Sequence, residues 1–244
     1  MKKIFGAAAV LALLAAGPTT SFAAGPCDFG NFMDFDADAF AYETTYNPVS
    51  YHSTNGSTLK MVGHITLFCP PLAALNPADP NKEYTFVVTA TSTGTIHYGP
   101  FAGFFYHETD YTGGTWAVYE GSPEDAPTAA SMPALPSPLV PATFQNGTVV
   151  LSGTLGTMHT SISTDGTQAN TNGSFLANYQ ATGGSYYNAV GNGSAVFQGL
   201  WCVWPKPAGC RPATYSAHTN GKWDIPPTTS TSKSTWGALK KLYK

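Results

Sequence analysis

The sequence predicts an all-β protein, built either as an antiparallel β-sandwich or as a closed β-barrel. Charged residues make up only 10% of the chain, whereas exposed helices depend on Glu, Lys and Arg. Aromatic residues make up 13% and are sufficient for a hydrophobic core. Short β-like runs alternate with turn residues from residue 28 to residue 226, and none of these runs has the period of an amphipathic helix. Because the alternation is the same in a sandwich and a barrel, both architectures remain open.

The predicted strands share β-branched and aromatic residues and are bounded by Gly, Pro, Asn or Ser. In chain order they cover residues 40–46, 58–68, 83–91, 115–120, 148–155, 158–163, 173–182, 194–201, 214–218 and 221–225. Residues 95–106 are dense in aromatic side chains and are interrupted by Gly99-Pro100. Residues 121–142 contain six prolines without periodicity, which predicts a long surface loop or a hinge. Neither side of that run is a complete domain, so we expect a single domain over residues 25–226.

The first 24 residues have the pattern of a secretory signal peptide. Two lysines precede an apolar stretch over residues 4–16, and the small residues Ser21 and Ala23 follow at the spacing that signal peptidase needs. Thirteen apolar residues are few for a membrane span, which needs about 20. We therefore expect cleavage near Ala23 or Ala24 and a mature protein that is secreted, at the cell surface or in the periplasm.

The charge of the mature chain argues against two classes of partner. Removal of Lys2 and Lys3 leaves nine basic residues against fourteen acidic ones, a net charge of −5. A mildly acidic chain without a basic run is poorly suited to nucleic acid or to anionic lipid surfaces. The sequence also predicts no transmembrane segment in the mature chain.

Four cysteines in an exported chain predict two disulfides. Of the three pairings, we favour Cys27 with Cys69 and Cys202 with Cys210. A metal site is the rival interpretation, but the chain has no Cys-x-x-Cys pair and no His at ligand spacing beside a cysteine.

The C-terminal part differs in composition from the domain. Residues 227–233 have the composition of a mobile linker, and residues 234–244 form a basic end with apolar residues. Trp236, Leu239 and Leu242 share one helical face, which indicates a sorting tail that docks on the cell surface or on export machinery. A frayed terminus is the alternative.

An acidic cluster in the N-terminal region is a candidate Ca²⁺ site. Asp34, Asp36 and Asp38 would share one face of a strand, and hard cations prefer carboxylate oxygens. The segment does not fit an EF-hand, because Ala39 stands where glycine is needed and Thr45 where glutamate is needed. The alternative is a solvated strand face that protects a sheet edge. Beyond this Ca²⁺, the sequence implies no cofactor.

Two histidines flank the Gly99-Pro100 interruption. His97 and His107 would approach each other across a hairpin, where they could bind a metal, or His107 could act in acid–base chemistry with Glu108 or Asp110. Exposed strand histidines without such a role are the alternative.

Other side chains fit carbohydrate chemistry. Paired carboxyl groups among Glu108, Asp110 and Glu120 would suit a glycosidase if they faced each other about 5–9.5 Å apart. Trp116 and Trp204 could stack on sugars, or they could belong to the core.

Two stretches resemble exported bacterial β-rich proteins. Residues 111–120 end in Tyr119-Glu120 and precede the Pro-rich run and the Phe144-Gln145-Asn146-Gly147-Thr148 strand start, a pattern similar to that of such proteins. The ending Ser234-Thr235-Trp236-Gly237 with its Lys-Leu-Tyr continuation is similar to a short C-terminal motif in the same class. The resemblance covers about a quarter of the chain and implies export and β structure, but it carries no catalytic residue.

Together these observations favour a secreted or surface β-domain with a binding or structural role and without recognisable catalytic machinery. An extracellular polysaccharide hydrolase and a calcium-stabilised adhesion module are the alternatives.

Overall fold

The computed structural model describes residues 27, 31–47, 50–122, 125–127, 142–165, 172–190, 194–203 and 216–224, and the architecture within them is all-β. Among these residues eight strands close into a barrel and two short strands form a separate hairpin. The strands are β1 Asn31–Glu43, β2 Tyr46–Asn47, β3 His52–Ser53, β4 Thr58–Phe68, β5 Glu83–Phe101, β6 Phe104–Gly121, β7 Thr148–Thr164, β8 Asn172–Gly183, β9 Ser194–Val203 and β10 Ala217–Asp224. A short 3-10 helix spans Ala142–Gln145, and helix α1 spans Tyr187–Val190. Of the two predicted architectures, the protein adopts the closed barrel.

The barrel is an antiparallel meander. Strands β4 to β10 pair with their neighbours in chain order, and β1 fills the gap between β10 and β4. Every neighbouring pair is antiparallel, and the connections range from the two residues between β5 and β6 to the Pro-rich run between β6 and β7. Closure gives each of the eight described barrel strands a neighbour on both sides, which is one way that β proteins avoid edge-to-edge aggregation.

Aromatic side chains fill the interior. An eight-stranded barrel is just wide enough for side chains to occupy its lumen. Phe35 lies at the centre of this packing, with ring centroids 4.7 Å from Phe86, 5.1 Å from Trp223 and 5.8 Å from Phe197. The buried aromatic rings in the described part of the interior make the barrel a packed scaffold.

Two facing glycines make room for these rings. Gly199 and Gly221 are partners in the β9–β10 ladder. A Cβ on Gly199 would lie 1.9 Å from the Asn220 carbonyl oxygen and 2.7 Å from the ring of Phe175, and a Cβ on Gly221 would lie 3.0 Å from the ring of Phe35. The aromatic core therefore requires the absence of side chains at this point of the wall.

A second, smaller cluster lies outside the wall. Phe40, Tyr42 and Val62 are covered there by Ala126 and Phe144. The Thr85 hydroxyl donates to the Phe144 carbonyl at 2.9 Å, and the Ala126 N–H donates to the Glu83 carboxylate at 3.1 Å. The two described ends of the Pro-rich run thus pack onto the barrel, as expected for a surface loop.

The two ends of the barrel differ. At the lower end, where β5 begins, Cys27 and Cys69 form a disulfide with a Cα–Cα distance of 5.4 Å, which confirms that pairing. At the upper end, β5 continues ten residues past its last partner in β4, from Thr91 to Phe101, while it remains paired with β6. The β2–β3 hairpin packs over the barrel mouth beside this extension, since Tyr51 joins the interior cluster and the buried Ser53 donates its N–H to Thr95 Oγ1 of β5. No helix in the described portion is long and apolar enough to cross a membrane.

Several strands are longer than the sequence predicted. Strand β7 joins two segments that Gly156 and Thr157 separated in the prediction, and β10 joins another two across Thr219 and Asn220. Helix α1 was not predicted. In β10 the ladders on both sides hold Gly221 in the strand, so tertiary pairing outweighs the local turn preference. In β7 the strand continues past Gly156 although its register with β8 is irregular between Leu155 and Met158.

Candidate binding surface at the upper end of the barrel

The β5–β6 extension ends in an exposed apolar hairpin tip, defined here as residues 96–106. Five large apolar side chains in it are solvent-exposed: Ile96 59%, Tyr98 42%, Phe101 61%, Phe104 39% and Phe105 40%. The 24 residues between Glu83 and Glu108 contain no Asp, Glu, Lys or Arg. Such a concentration of exposed apolar surface is unusual on a soluble domain and marks interaction sites.

The backbone of the tip is a tight turn held by glycines. Phe101 pairs with Phe104, and both residues between them have positive φ, 50° at Ala102 and 86° at Gly103. Positive φ at both central residues defines a type I′ turn, in which Ala102 is strained because its Cβ disfavours this region. Gly99 has φ 107°, and a Cβ there would lie 2.7 Å from the Phe104 carbonyl oxygen. The sequence therefore builds a compact apex that presents its phenylalanines to solvent.

Three histidines form a chain at the base of the tip. His97 and His107 are cross-strand partners, as the sequence predicted, with their Nδ1 atoms 2.6 Å apart. His52 of the β2–β3 hairpin joins them, with its Nδ1 3.2 Å from His97 Nε2. The ring of Tyr51 lies 5.0 Å from that of His107. The chain ties the hairpin that covers the barrel mouth to the extension that carries the tip.

The environment of these histidines favours neutral rings. Burial and then the positive charge of His97 lower the pKa of His107 to about 4. Burial and then the charge of His52 lower the pKa of His97. Nε2 of His107 is buried without a hydrogen-bond partner among the described residues, so a proton added there would find no acceptor. No group of three or more His, Cys, Asp or Glu in the described part of the chain has metal-binding geometry.

A buried carboxyl group lies beneath the β2–β3 hairpin. The Ser53 hydroxyl donates to Glu43, and the Tyr111 hydroxyl donates to the same carboxylate at 3.1 Å. Ser92 Oγ lies 2.5 Å from Ser53 Oγ, and the Ser53 N–H donates to Thr95 Oγ1 at 2.7 Å. Burial raises the pKa of Glu43 against the opposing effect of its hydrogen bonds. The network fixes the hairpin over the mouth, and its hydroxyl and carboxyl groups face one another rather than solvent.

A shallow polar groove of about 460 Å³ lies at the lower end. Within it Lys82 Nζ and the Tyr84 hydroxyl each donate to the Glu120 carboxylate at 2.8 Å. The hydrogen bond from Lys82 is the main cause of the lowered pKa of Glu120. Glu120 is thus held as an ionised partner of Lys82.

The three carboxyl groups considered for glycosidase chemistry do not form one cluster. Glu108 and Asp110 lie at the upper end of β6 and Glu120 at its lower end, which separates them by roughly 30–40 Å at 3.4 Å per residue. The Asp110 carboxylate is 2.8 Å from His159 Nδ1 on the exposed outer face, and Asp110 and His107 lie on opposite faces of β6. Glu120 therefore cannot be paired with either of the other two.

The remaining predicted site residues have varied positions. Trp116 is 2% exposed, with its ring 5.2 Å from that of Tyr179, so it belongs to the core and not to a sugar-stacking platform. Asp34 lies in β1, and the strand has a register irregularity between Phe35 and Ala39. The side chains of Asp36, Asp38 and Cys202, and residues Trp204, Cys210, Trp236, Leu239 and Leu242, lie outside the described residues, as does the predicted signal peptide.

Sequence reasoning missed His52 and the Glu43–Ser53–Tyr111 network. These residues are up to 68 positions apart, and no local spacing relates them. The predicted interruption of the aromatic run at Gly99-Pro100 coincides with a register irregularity between Tyr98 and Phe101, although β5 continues through it. The available signal was the absence of charge through the run, which indicates an apolar surface once the run is known to be a hairpin.

No protein-family model, no curated protein and no solved structure matches this chain. The functional argument therefore depends on the site itself.

Proposed function

We propose that this protein is an exported binding domain, in which the packed barrel is a scaffold and the hairpin tip is the binding surface. The single observation that carries the proposal is the exposure of five large apolar side chains on a charge-free hairpin. Burying each of them on a partner would contribute on the order of 1 kcal/mol or more, since removal of apolar area from water is favourable by about 25 cal/mol per Å².

The scaffold supports this role. A hairpin on a closed, aromatic-filled barrel loses little conformational freedom on binding, because its strands are already ordered by β7 on one side and by the β2–β3 hairpin on the other. The buried Glu43 network and the histidine chain fix the base of the tip. Export of the chain, which the N-terminal residues predict, would place the tip outside the cytoplasm.

Site-specific photo-crosslinking in native cells tests the proposal. A photoreactive amino acid replaces Phe101 at the apex or, as a matched control, the exposed Leu176 on the outer face of β8. We expect a defined protein or lipid adduct from position 101 and none from position 176. Equal crosslinking from both positions, or adducts from position 176 alone, would show that the tip is not the binding surface.

A further inference from the structure

We infer that the partner of the hairpin tip is the interfacial region of a lipid bilayer with neutral headgroups; this inference rests on the proposed function. The first argument is that apolar side chains emerge on both faces of the tip. His97 and His107 face the β2–β3 hairpin, so Phe105, two residues from His107, lies on that same face. Ile96 and Tyr98 alternate with His97 and lie on the opposite face.

The presence of apolar side chains on both faces of the tip favours a lipid bilayer over a groove in a folded protein as the binding partner. A groove in a folded partner contacts one face of a hairpin and leaves the other face in water. The apolar side chains on that second face would then contribute no binding free energy. A bilayer interface surrounds the inserted element on all sides. The apex and both faces of the tip would lose water together only in such a phase.

The polarity of the aromatic side chains also changes along the tip. Phe101 and Phe104 form the apex, while Tyr98 and Tyr106 lie nearer the barrel. Along the paired strand, from Tyr106 to Phe104, the tip rises roughly 7 Å, which lies within the depth to which interfacial elements enter the boundary between headgroups and acyl chains, about 5–10 Å. Phenylalanine at the deep end and tyrosine at headgroup level match the polarity profile of that boundary.

The backbone limits how deep the tip can go. Within the tip β5 and β6 pair with each other on either side of Gly99-Pro100, but β5 has no β4 partner beyond Thr91. An open strand edge is not tolerated in the hydrocarbon core, where water cannot satisfy it. The geometry therefore fits insertion at the interface and not a span.

The negative charge beside the tip favours neutral over anionic lipid headgroups. Glu108 and Asp110 follow the tip directly on β6, and the whole chain has a formal net charge of −3. Anionic headgroups attract basic segments and would repel this surface. Neutral phosphatidylcholine is the headgroup chemistry that the surface accommodates.

Flotation of the purified exported protein with vesicles tests the inference. The vesicles are phosphatidylcholine alone or phosphatidylcholine with one third phosphatidylglycerol, at low ionic strength. We expect the wild type to bind the neutral vesicles and the anionic vesicles to bind no more tightly. Truncation of one inserted phenylalanine should weaken partitioning about tenfold, as expected for loss of one large buried apolar side chain, so Phe101→Ser with Phe104→Ser should abolish flotation.

The matched control is Leu176→Ser with Leu200→Ser, which removes two exposed leucines from the outer faces of β8 and β9. This control should float like the wild type, and both double variants should keep the wild-type circular dichroism and melting temperature. Absence of wild-type flotation, or equal loss in both variants, would overturn the inference. So would tip-dependent dimers in sedimentation without vesicle binding. If vesicles do not bind but position 101 still crosslinks to a protein, the lipid inference fails and the proposed binding function stands.

Discussion

Replacing His107 with phenylalanine should flatten the pH dependence of stability. The phenyl ring retains an aromatic contact with Tyr51, which lies 5.0 Å from the His107 ring, but it cannot titrate. Because the pKa of His107 in the folded protein is lowered, the unfolded chain binds its proton more readily than the folded one does. The stability that the neutral ring contributes is therefore present above pH 6.5 and is lost as the pH falls toward 4.

The magnitude follows from the size of this shift. A difference between 6.5 and about 4 sets a ceiling of roughly 3 kcal/mol. His107 is only half-buried, so solvent screening reduces the expected loss to about 1–2 kcal/mol. Glu43 acts in the opposite direction, because burial raises its pKa and its protonation in acid favours the fold. That contribution is common to wild type and variant and cancels in their comparison.

Urea unfolding at pH 7.5 and pH 4.5 measures the effect. We expect the wild type to lose about 1–2 kcal/mol more than His107→Phe between these two pH values. The control Leu176→Ser removes an exposed side chain on the outer face of β8, leaves the histidine chain intact and should keep the wild-type pH dependence. Parallel loss of stability in the wild type and His107→Phe would refute the account of the histidine chain.

Three further predictions concern stability. Gly199→Ala should cost about 1–3 kcal/mol, since its Cβ would meet the Asn220 carbonyl oxygen at 1.9 Å, and an unchanged urea midpoint would contradict this packing. Replacing Cys27 and Cys69 with serine opens a loop with a sequence separation of 42 and should cost up to about 4 kcal/mol, measured by the same unfolding assay without reductant. A loss below the error of that assay would show that the bridge does not stabilise the fold. Ala102→Gly should raise stability by about 0.5–1 kcal/mol because glycine relieves the positive φ, and a lower melting temperature would argue against the type I′ turn.

The strands were largely predictable because their sequence pattern is local. Strand β4 matches the predicted 58–68, and the predicted 83–91 and 115–120 lie inside β5 and β6. Alternation in these segments results from one face that meets the aromatic interior and another that meets solvent. The choice between barrel and sandwich was not predictable, because it depends on whether β1 pairs with both β4 and β10.

The candidate site was predictable only in part. The His97–His107 pair followed from a hairpin inferred around Gly99-Pro100, since cross-strand partners are symmetric about a turn. The third histidine and the Glu43 network come from a distant hairpin, and no periodicity relates them to the tip. Trp116 illustrates the converse: the sequence alone left open whether it stacks on a ligand or fills the core, and its position in the interior decides for the core.

The central claim is that the hairpin tip is the surface that meets the partner. Hydroxyl-radical footprinting with mass spectrometry tests it directly, by comparing the purified protein with the protein in native cells. We predict that oxidation of Tyr98, Phe101, Phe104 and Phe105 falls in the cells, while oxidation of Leu176 is unchanged. Equal oxidation of the four aromatic side chains in both states, with protection elsewhere on the barrel, would contradict the claim.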